Sequence, residues 1–409
     1  MPVLTLFHGR FCRAAEVAAE VCAATGFKLV DDDGIIAAAS AVSGVDREKL
    51  RRAFAARTSV FNKFTHEKEC SVAYLKLALA RLVAEDNILV LGFAGQLIPP
   101  AISHLVRIAL IADLPYRLAV AAERDELAEK EALKLIRQKD EDCAAWIDFI
   151  RHTPQDCWDP SLYDLFLPMQ KSSVAKASAL IEENALKQVV QISDTSRRAA
   201  QDFQLAAQVE VALAREGHSV EVEARNSRVT LSIYKHVLML NRLEEELKSI
   251  AARVAGVDHV QVRVGEHFHQ TNIYRKHDFS MPSRVLLVDD ERDLAQTLSE
   301  RLQMRDMGSA VAYDGASALK LVAEDEPEVM IIDLKMPGID GLEVLRKVKQ
   351  TRPEIEVIVL TGHGSRSDRD KCLELGAFGY LQKPVEIDKL SALLQQAHEK
   401  IRGRAKGSR

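Results

Sequence analysis

Short apolar runs alternating with amphipathic stretches divide the chain into three parts. Up to about Lys187, the runs Val3–Phe7, Ile88–Leu91 and Ile108–Ala112 predict strands, and Ala14–Ala24 predicts a helix after the first, an α/β pattern. The most apolar window, Ile88–Val106, is broken by Gly92, Gly95 and Pro99-Pro100. It reads as a buried strand and turn, because a membrane helix needs about 20 unbroken apolar residues. Residues 188–265 show an α+β order: a helix near Phe203–Arg215, a strand Val220–Glu223, a turn at Asn226-Ser227, a strand Val229–Ile233, a helix about Val237–Val254 and an alternating strand Val257–Val264. Polar residues 266–282 read as a linker. Residues 283–402 carry five strand–helix alternations, a doubly wound sheet, and the basic tail Arg402–Arg409 is expected to be disordered.

The third part concentrates candidate chemistry at the ends of its strands. Arg284-Val-Leu-Leu-Val-Asp-Asp290 ends in two carboxylates, Val329-Met-Ile-Ile-Asp333 in one, Val357-Ile-Val-Leu-Thr361 in a hydroxyl, and Gly379-Tyr-Leu-Gln runs into Lys383-Pro384. In a doubly wound parallel sheet the carboxyl ends of the strands share one crevice, so Asp289, Asp290, Asp333, Thr361 and Lys383 are expected to converge. A carboxylate at one strand end is an ordinary solvated turn residue, but five such positions in this order are not. Clustered carboxylates suit a hard divalent cation such as Mg²⁺, and an ammonium beside a nucleophilic carboxylate stabilises a transferring phosphoryl group.

These positions, with Pro337-Gly338 after Asp333 and the aromatic Tyr380, closely resemble the response-regulator receiver family. The resemblance implies that Asp333 is the phosphoacceptor. It implies metal ligands at Asp289, Asp290, Asp333 and the Lys335 backbone carbonyl, and phosphoryl-stabilising and switch roles for Lys383, Thr361 and Tyr380. It further implies an output face at about Arg366–Leu375, Gly379–Gln382 and Ile387–Ile401.

The first part is similar to the cytidylate-kinase-like family. The resemblance rests on Gly26-Phe-Lys-Leu-Val-Asp-Asp-Asp33-Gly-Ile-Ile, on Leu105-Val-Arg-Ile-Ala-Leu-Ile-Ala-Asp-Leu-Pro-Tyr-Arg117, on the helix around Ala132–Asp140 and on Trp158-Asp-Pro-Ser-Leu-Tyr-Asp-Leu165. The strand–turn–helix at Leu4–Glu16 sits where a nucleotide kinase carries its phosphate loop. A working loop, GxxxxGK[ST], uses glycines so that backbone N–H groups cradle phosphate, and a lysine to reach its oxygens. Here the degenerate loop has Gly9, Arg10 and Arg13, with Phe11 and Cys12 in the region that should stay small and no lysine. Gly92-Phe93, Asp140-Glu-Asp-Cys143 and Leu167-Pro168 also depart from the family pattern. The expectation is a pseudokinase that senses a ligand or docks a partner, since phosphoryl transfer depends on positioning and charge stabilisation.

The second part resembles a BON module, through Val229-Thr-Leu-Ser and Val254-Ala-Gly-Val257, although Ile233 stands where that family usually has glycine. An interaction or spacer role is the expectation. Asp31-Asp32-Asp33 reads as a polar turn rather than a Mg²⁺ site, and His267 and His269, with His259 and His277, as solvated linker residues rather than metal ligands.

Composition adds limits. Hydrophobic residues make up 47% and charged residues 28% of the 409, as in an ordinary globular chain. A net charge of −5 offers no electrostatic reason for nucleic acid or an anionic membrane as a partner. The six cysteines show no CxxC spacing, and His8, Arg10 and Arg13 interrupt any signal-peptide core. The expectation is a cytoplasmic α/β multidomain signalling protein with no membrane span. It comprises a P-loop-kinase-like α/β domain over residues 1–187, a small α+β BON-like domain over 188–265 and a flavodoxin-like receiver over 283–402. A histidine kinase or phosphotransfer protein is the expected donor, with room for a nucleotide-like ligand and a homodimer. The competing expectation, a receiver-regulated nucleoside monophosphate kinase, turns on the lysine missing between Gly9 and Ala15.

Overall fold

The computed structural model describes residues 2–407 apart from 86, 153, 237–239, 265–269, 274–281, 283, 306 and 363–365. His267, His269 and His277 therefore lie outside the described residues. The chain forms two compact units, Met1–Thr58 with Lys68–Tyr274, and Ser59–Glu67 with Arg275–Arg409.

In the first unit, Val-Leu-Thr-Leu-Phe-His forms β1 (Val3–His8), buried on both faces as in a parallel strand that packs helices on each side. Val3 and Phe7 join one apolar layer, Leu4 and Leu6 the other. The elements that follow are α1 (Ala14–Thr25), β2 (Lys28–Asp31), α2 (Asp32–Ser43) and α3 (Arg47–Arg52). After α4 (Asn62–Thr65), which belongs to the second unit, come α5 (Glu67–Val83), β3 (Ile88–Leu91), β4 (Leu105–Ile111), α6 (Leu114–Asp125), α7 (Glu129–Arg151), β5 (Leu165–Pro168) and α8 (Val174–Ala185). The strands form one parallel sheet in the order β2-β3-β1-β4-β5.

Helix α9 (Asp194–Arg215) starts well before the expected Phe203. Its first turns, Asp194-Thr-Ser-Arg-Arg, are polar and hide the helical period. Ser193 caps the helix by accepting from the Ser196 N–H, and the Ser196 hydroxyl lies 2.6 Å from His104 Nδ1. One side of α9 (Ala200, Phe203, Ala207, Val211) lies in the core of the α/β sheet, and the other (Val209, Leu213) in that of the small α+β fold. The two folds thus share a helix inside one unit. The small fold holds β6 (Glu221–Arg225), β7 (Arg228–Ile233), β8 (Lys235–His236), α10 (Leu240–Ala251) and β9 (His259–Val264). Strands β6 and β7 form a hairpin closed by Asn226 and Ser227, both at positive φ, and β9 adds to β7 in parallel. Within the stretch expected as linker, Gln270–Ile273 form β10, which pairs with β8.

The second unit carries β11 (Val285–Val288), α11 (Arg292–Gln303), β12 (Ser309–Ala312), α12 (Gly315–Asp325), β13 (Val329–Ile332), α13 (Gly341–Thr351), β14 (Glu356–Thr361), α14 (Arg366–Glu374), β15 (Gly379–Gln382) and α15 (Ile387–Gly407). Its sheet is parallel throughout, in the order β12-β11-β13-β14-β15, the flavodoxin-like doubly wound arrangement. Leu286 and Val288 face one layer, Val285 and Leu287 the other. The tail expected to be disordered is helical to Gly407. Glu356, only 1% exposed, explains the difference: its carboxylate meets Lys400 at 2.9 Å and Arg404 at 3.0 Å, giving the basic end of α15 a buried counter-charge. No helix among the described residues is long and apolar enough to cross a membrane.

Candidate functional site

Backbone hydrogen bonds running past the strand ends assemble the acidic crevice of the second unit. The Asp333 N–H donates to Val288 O at 2.9 Å, holding the end of β13 beside β11, and the Lys383 N–H donates to Thr361 O at 2.9 Å, holding the end of β15 beside β14. Carboxylate oxygens of Asp289, Asp290 and Asp333 lie within 4.8 Å of one another, the one such trio of potential metal ligands among the described residues. Asp289 and Asp333 are 2% and 6% exposed, so their charges need a partner. Lys383 supplies it: Nζ sits 2.7 Å from Asp289 Oδ2, 2.9 Å from Asp333 Oδ2 and 3.1 Å from Glu291 Oε1.

Burial pushes the Asp289 carboxyl above the usual carboxylate range, although the hydrogen bond from Lys383 opposes it. Burial works to lower the Lys383 pKa, yet hydrogen bonds to Asp289, Asp333 and Glu291 outweigh it and hold the ammonium above the ordinary lysine value. The lysine is therefore charged at any physiological pH. Thr361, wholly buried, and Lys335 line the same cleft of about 450 Å³, together with Asp290, Asp333 and Lys383. The Lys335 N–H lies 3.4 Å from Asp333 Oδ1. Tyr380 on β15 is half-buried beside Val359, its register partner, against the apolar layer under α12, α13 and α14. Asp290, Asp333, Lys335, Thr361 and Lys383 thus line one cleft, with Asp289 beside them on Lys383.

Glu291 and Gly341 join the site without having stood out in the sequence. Glu291 is the third carboxylate on Lys383, and its place directly after the Asp289-Asp290 pair could have raised it as a candidate. At Gly341 an added Cβ would stand 2.0 Å from the Asp333 carbonyl oxygen, so only glycine lets α13 start against the end of β13. The three carboxylates form an all-oxygen donor set open to the cleft, which fits a hard divalent cation. Asp333, held at an ammonium with room in front of it, can act as a nucleophile toward an anionic group.

The β1–α1 loop of the first unit is closed on itself. The Arg117 guanidinium donates from Nε to Arg10 O at 2.9 Å and grips Asp140 in a bidentate pair at 2.9 and 2.8 Å. Phe11 and Arg13 both adopt the left-handed conformation without being glycine, a strained path for the backbone. Arg13 is tied to Glu123 at 3.1 Å, and Arg10 lies over the Phe11 ring. Gly9 donates its N–H to Leu110 O, so it is spent within the sheet.

The three aspartates after β2 are engaged one by one. Asp31 caps α2 through the Gly34 N–H, Asp32 accepts from the Phe93 and Ala94 N–H groups, and Asp33 pairs with Arg51. Burial pushes Asp32 up to about 6 against those two hydrogen bonds. Gly92 makes room for it: at φ +123°, a Cβ there would lie 2.1 Å from Asp32 Oδ2.

An aspartate-centred acidic pocket on a doubly wound parallel sheet defines the class of the second unit. Residues 285–395 match the family model of the response regulator receiver domain, and residues 3–171 that of the cytidylate kinase-like family. The response regulator MprA of Mycolicibacterium vanbaalenii is 38% identical over 115 residues, 28% of this chain and 50% of that protein. MprA of Mycobacterium bovis (strain BCG / Pasteur 1173P2) is 36% identical over the same shares. The chain spans about half the length of the curated relatives it matches. Among solved structures, the receiver domain of the Francisella response regulator 1452 is 29% identical with a TM-score of 0.28, covering 29% of this chain and 98% of that one. A response regulator receiver domain protein from Clostridium thermocellum is 32% identical with a TM-score of 0.28, covering 28% and 94%. The C-terminal part is a receiver domain homologous to those of response regulators, and the N-terminal part resembles the cytidylate kinase-like family.

Proposed function

We propose that the protein is a two-component response regulator whose Asp333 accepts a phosphoryl group from a phosphohistidine of a histidine kinase or phosphotransfer protein. The observation that carries the reading is the Lys383 ammonium 2.9 Å from Asp333 Oδ2 within the three-aspartate cluster. An Asp333 oxygen attacks phosphorus, the phosphorus–nitrogen bond to the donor imidazole breaks, and the imidazole leaves. Asp289, Asp290 and Asp333, with the Lys335 carbonyl, would hold Mg²⁺, which would neutralise charge on the transferring group. Lys383 turns from the carboxylates to a phosphoryl oxygen, and the Thr361 hydroxyl donates to another. Tyr380 then closes toward the space Thr361 leaves. The six cysteines are all free, which fits a reducing compartment such as the cytoplasm.

Residues 1–187 serve in this reading as a pseudokinase, a sensing or output module. The Arg117–Asp140 pair fills the loop region with protein groups, and Arg10 and Arg13 stand in a loop that lacks the glycine cradle of N–H groups and the lysine that phosphate transfer uses. Residues 188–265 act as a BON-like module, a reading supported by their hairpin, helix and added parallel strand. The test is incubation of the intact protein with a small phosphodonor and Mg²⁺. Wild type should take up one phosphoryl group and Asp333→Asn none. Full labelling of that variant sinks the assignment. The same preparation should turn over no ATP with CMP, and turnover above background would restore the kinase reading.

A further inference from the structure

One element of the second unit comes from the kinase-like stretch of sequence. Residues 59–67 fall inside the 3–171 match, but they cluster with the receiver, while Thr58 and Lys68 on either side belong to the first unit. The segment is a compact turn. Asn62 donates its N–H to Ser59 O, Phe64 and Thr65 donate theirs to Phe61 O at 2.8 and 3.0 Å, and His66 donates to Asn62 O at 2.9 Å. The Phe61 N–H donates to Ser59 Oγ. The turn presents Phe61, whose side chain has no exposure at all. Phe61 belongs to the receiver's buried apolar layer, with Ile332, Met336, Val359 and Cys372, and Tyr380 packs on the same layer. Met336 lies three residues beyond Asp333, and Val359 two before Thr361. The ring is thus buried with side chains that flank both the acceptor and the hydroxyl that would answer it.

We propose that Ser59–Glu67 is the receiver's output contact in cis: Phe61 seats in the receiver's apolar layer, and the charge at Asp333 sets how firmly it is held. The inference rests on the reading of Asp333 as phosphoacceptor. A receiver surface that holds a turn of its own chain transmits a change in packing without a separate partner. The coupling needs only that the two packings differ in how well they accept the ring.

Hydrogen exchange of the full chain, with and without beryllofluoride and Mg²⁺, reads the amides of Phe64, Thr65 and His66. Labelling of Asp333 by a small phosphodonor runs in parallel. Wild type should label, and the three amides should change in exchange rate by about tenfold or more on adding beryllofluoride, while Asp333→Asn gives no response. Phe61→Ala should exchange rapidly in both states and still label, and Phe61→Leu should keep most of the protection and the response. If Phe61→Ala fails to fold, the wild type and Phe61→Leu still decide. Labelling with unchanged protection in the segment would make it a fixed structural part and overturn the proposal alone. Failure of wild type to label would overturn the phosphoacceptor reading, and this inference with it.

Discussion

Replacing Gly341 by alanine tests the packing that places Asp333. The new Cβ would stand 2.0 Å from the Asp333 carbonyl oxygen and 2.8 Å from Leu334 Cα. Both obstacles are backbone, so no rotamer change relieves them. The start of α13 must move away from the end of β13 by roughly an ångström, stretching the 2.9 Å bond from the Gly341 N–H to Leu334 O. Overpacking of this kind costs about 1–3 kcal/mol. A displacement of about 1 Å at a reacting group costs up to about 100-fold in rate. Gly403→Ala is the control: nothing lies within 4 Å of its Cβ, and a helical glycine replaced by alanine gains about 0.5–1 kcal/mol. Urea unfolding followed by circular dichroism, with the rate of labelling by a small phosphodonor, reads both effects. Gly341→Ala should unfold earlier and label much more slowly, and Gly403→Ala should do neither. An unchanged midpoint and rate for Gly341→Ala would refute the reasoning.

Phe203→Ala, on the shared helix α9, should destabilise the first unit by about 3–5 kcal/mol, seen in the fluorescence of Trp146 and Trp158, because Phe203 is 8% exposed in its core. The Asp32 carboxyl, raised from 3.8 to about 6, favours the protonated form in the folded state. The stability it contributes is full below its unfolded value and is lost as pH rises through the folded one, on the order of 3 kcal/mol in all. Asp32→Asn should flatten that slope in unfolding curves from about pH 4 to about pH 7, and an unaltered slope would contradict the assignment. Lys383→Met leaves Asp289 and Asp333 without their counter-charge and should destabilise the receiver by about 1–3 kcal/mol. Because the Asp289 pKa already lies above the ordinary value, the loss should shrink as pH falls and Asp289 takes up a proton.

The receiver was legible because its chemistry sits on strands. Strands β11, β13 and β14 are short apolar runs that lead into Asp289, Asp333 and Thr361, β15 leads into Lys383, and sheet order brings those ends together. Glu291 escaped because one carboxylate on an exposed turn is commonplace, and its meaning depends on where the Lys383 side chain reaches. Gly341 escaped because a close approach between α13 and β13 is a tertiary fact. The helical tail depended on Glu356, a buried carboxylate whose cations Lys400 and Arg404 lie far along the chain. The docking of Phe61 left no local trace, since its neighbours in the apolar layer follow it by more than two hundred residues. In the kinase-like stretch the missing lysine was visible, but the Arg117–Asp140 pair that closes the loop was not.

The most direct test of the central claim is to trap the acyl phosphate at its residue. Protein treated with a small phosphodonor and Mg²⁺ is reduced with borohydride, which converts a phosphorylated aspartate to homoserine, and is then digested and sequenced by mass spectrometry. The account predicts homoserine at position 333, dependence on Mg²⁺, and no homoserine at Asp289 or Asp290. Homoserine at either of those residues in place of 333, or at none, would contradict it.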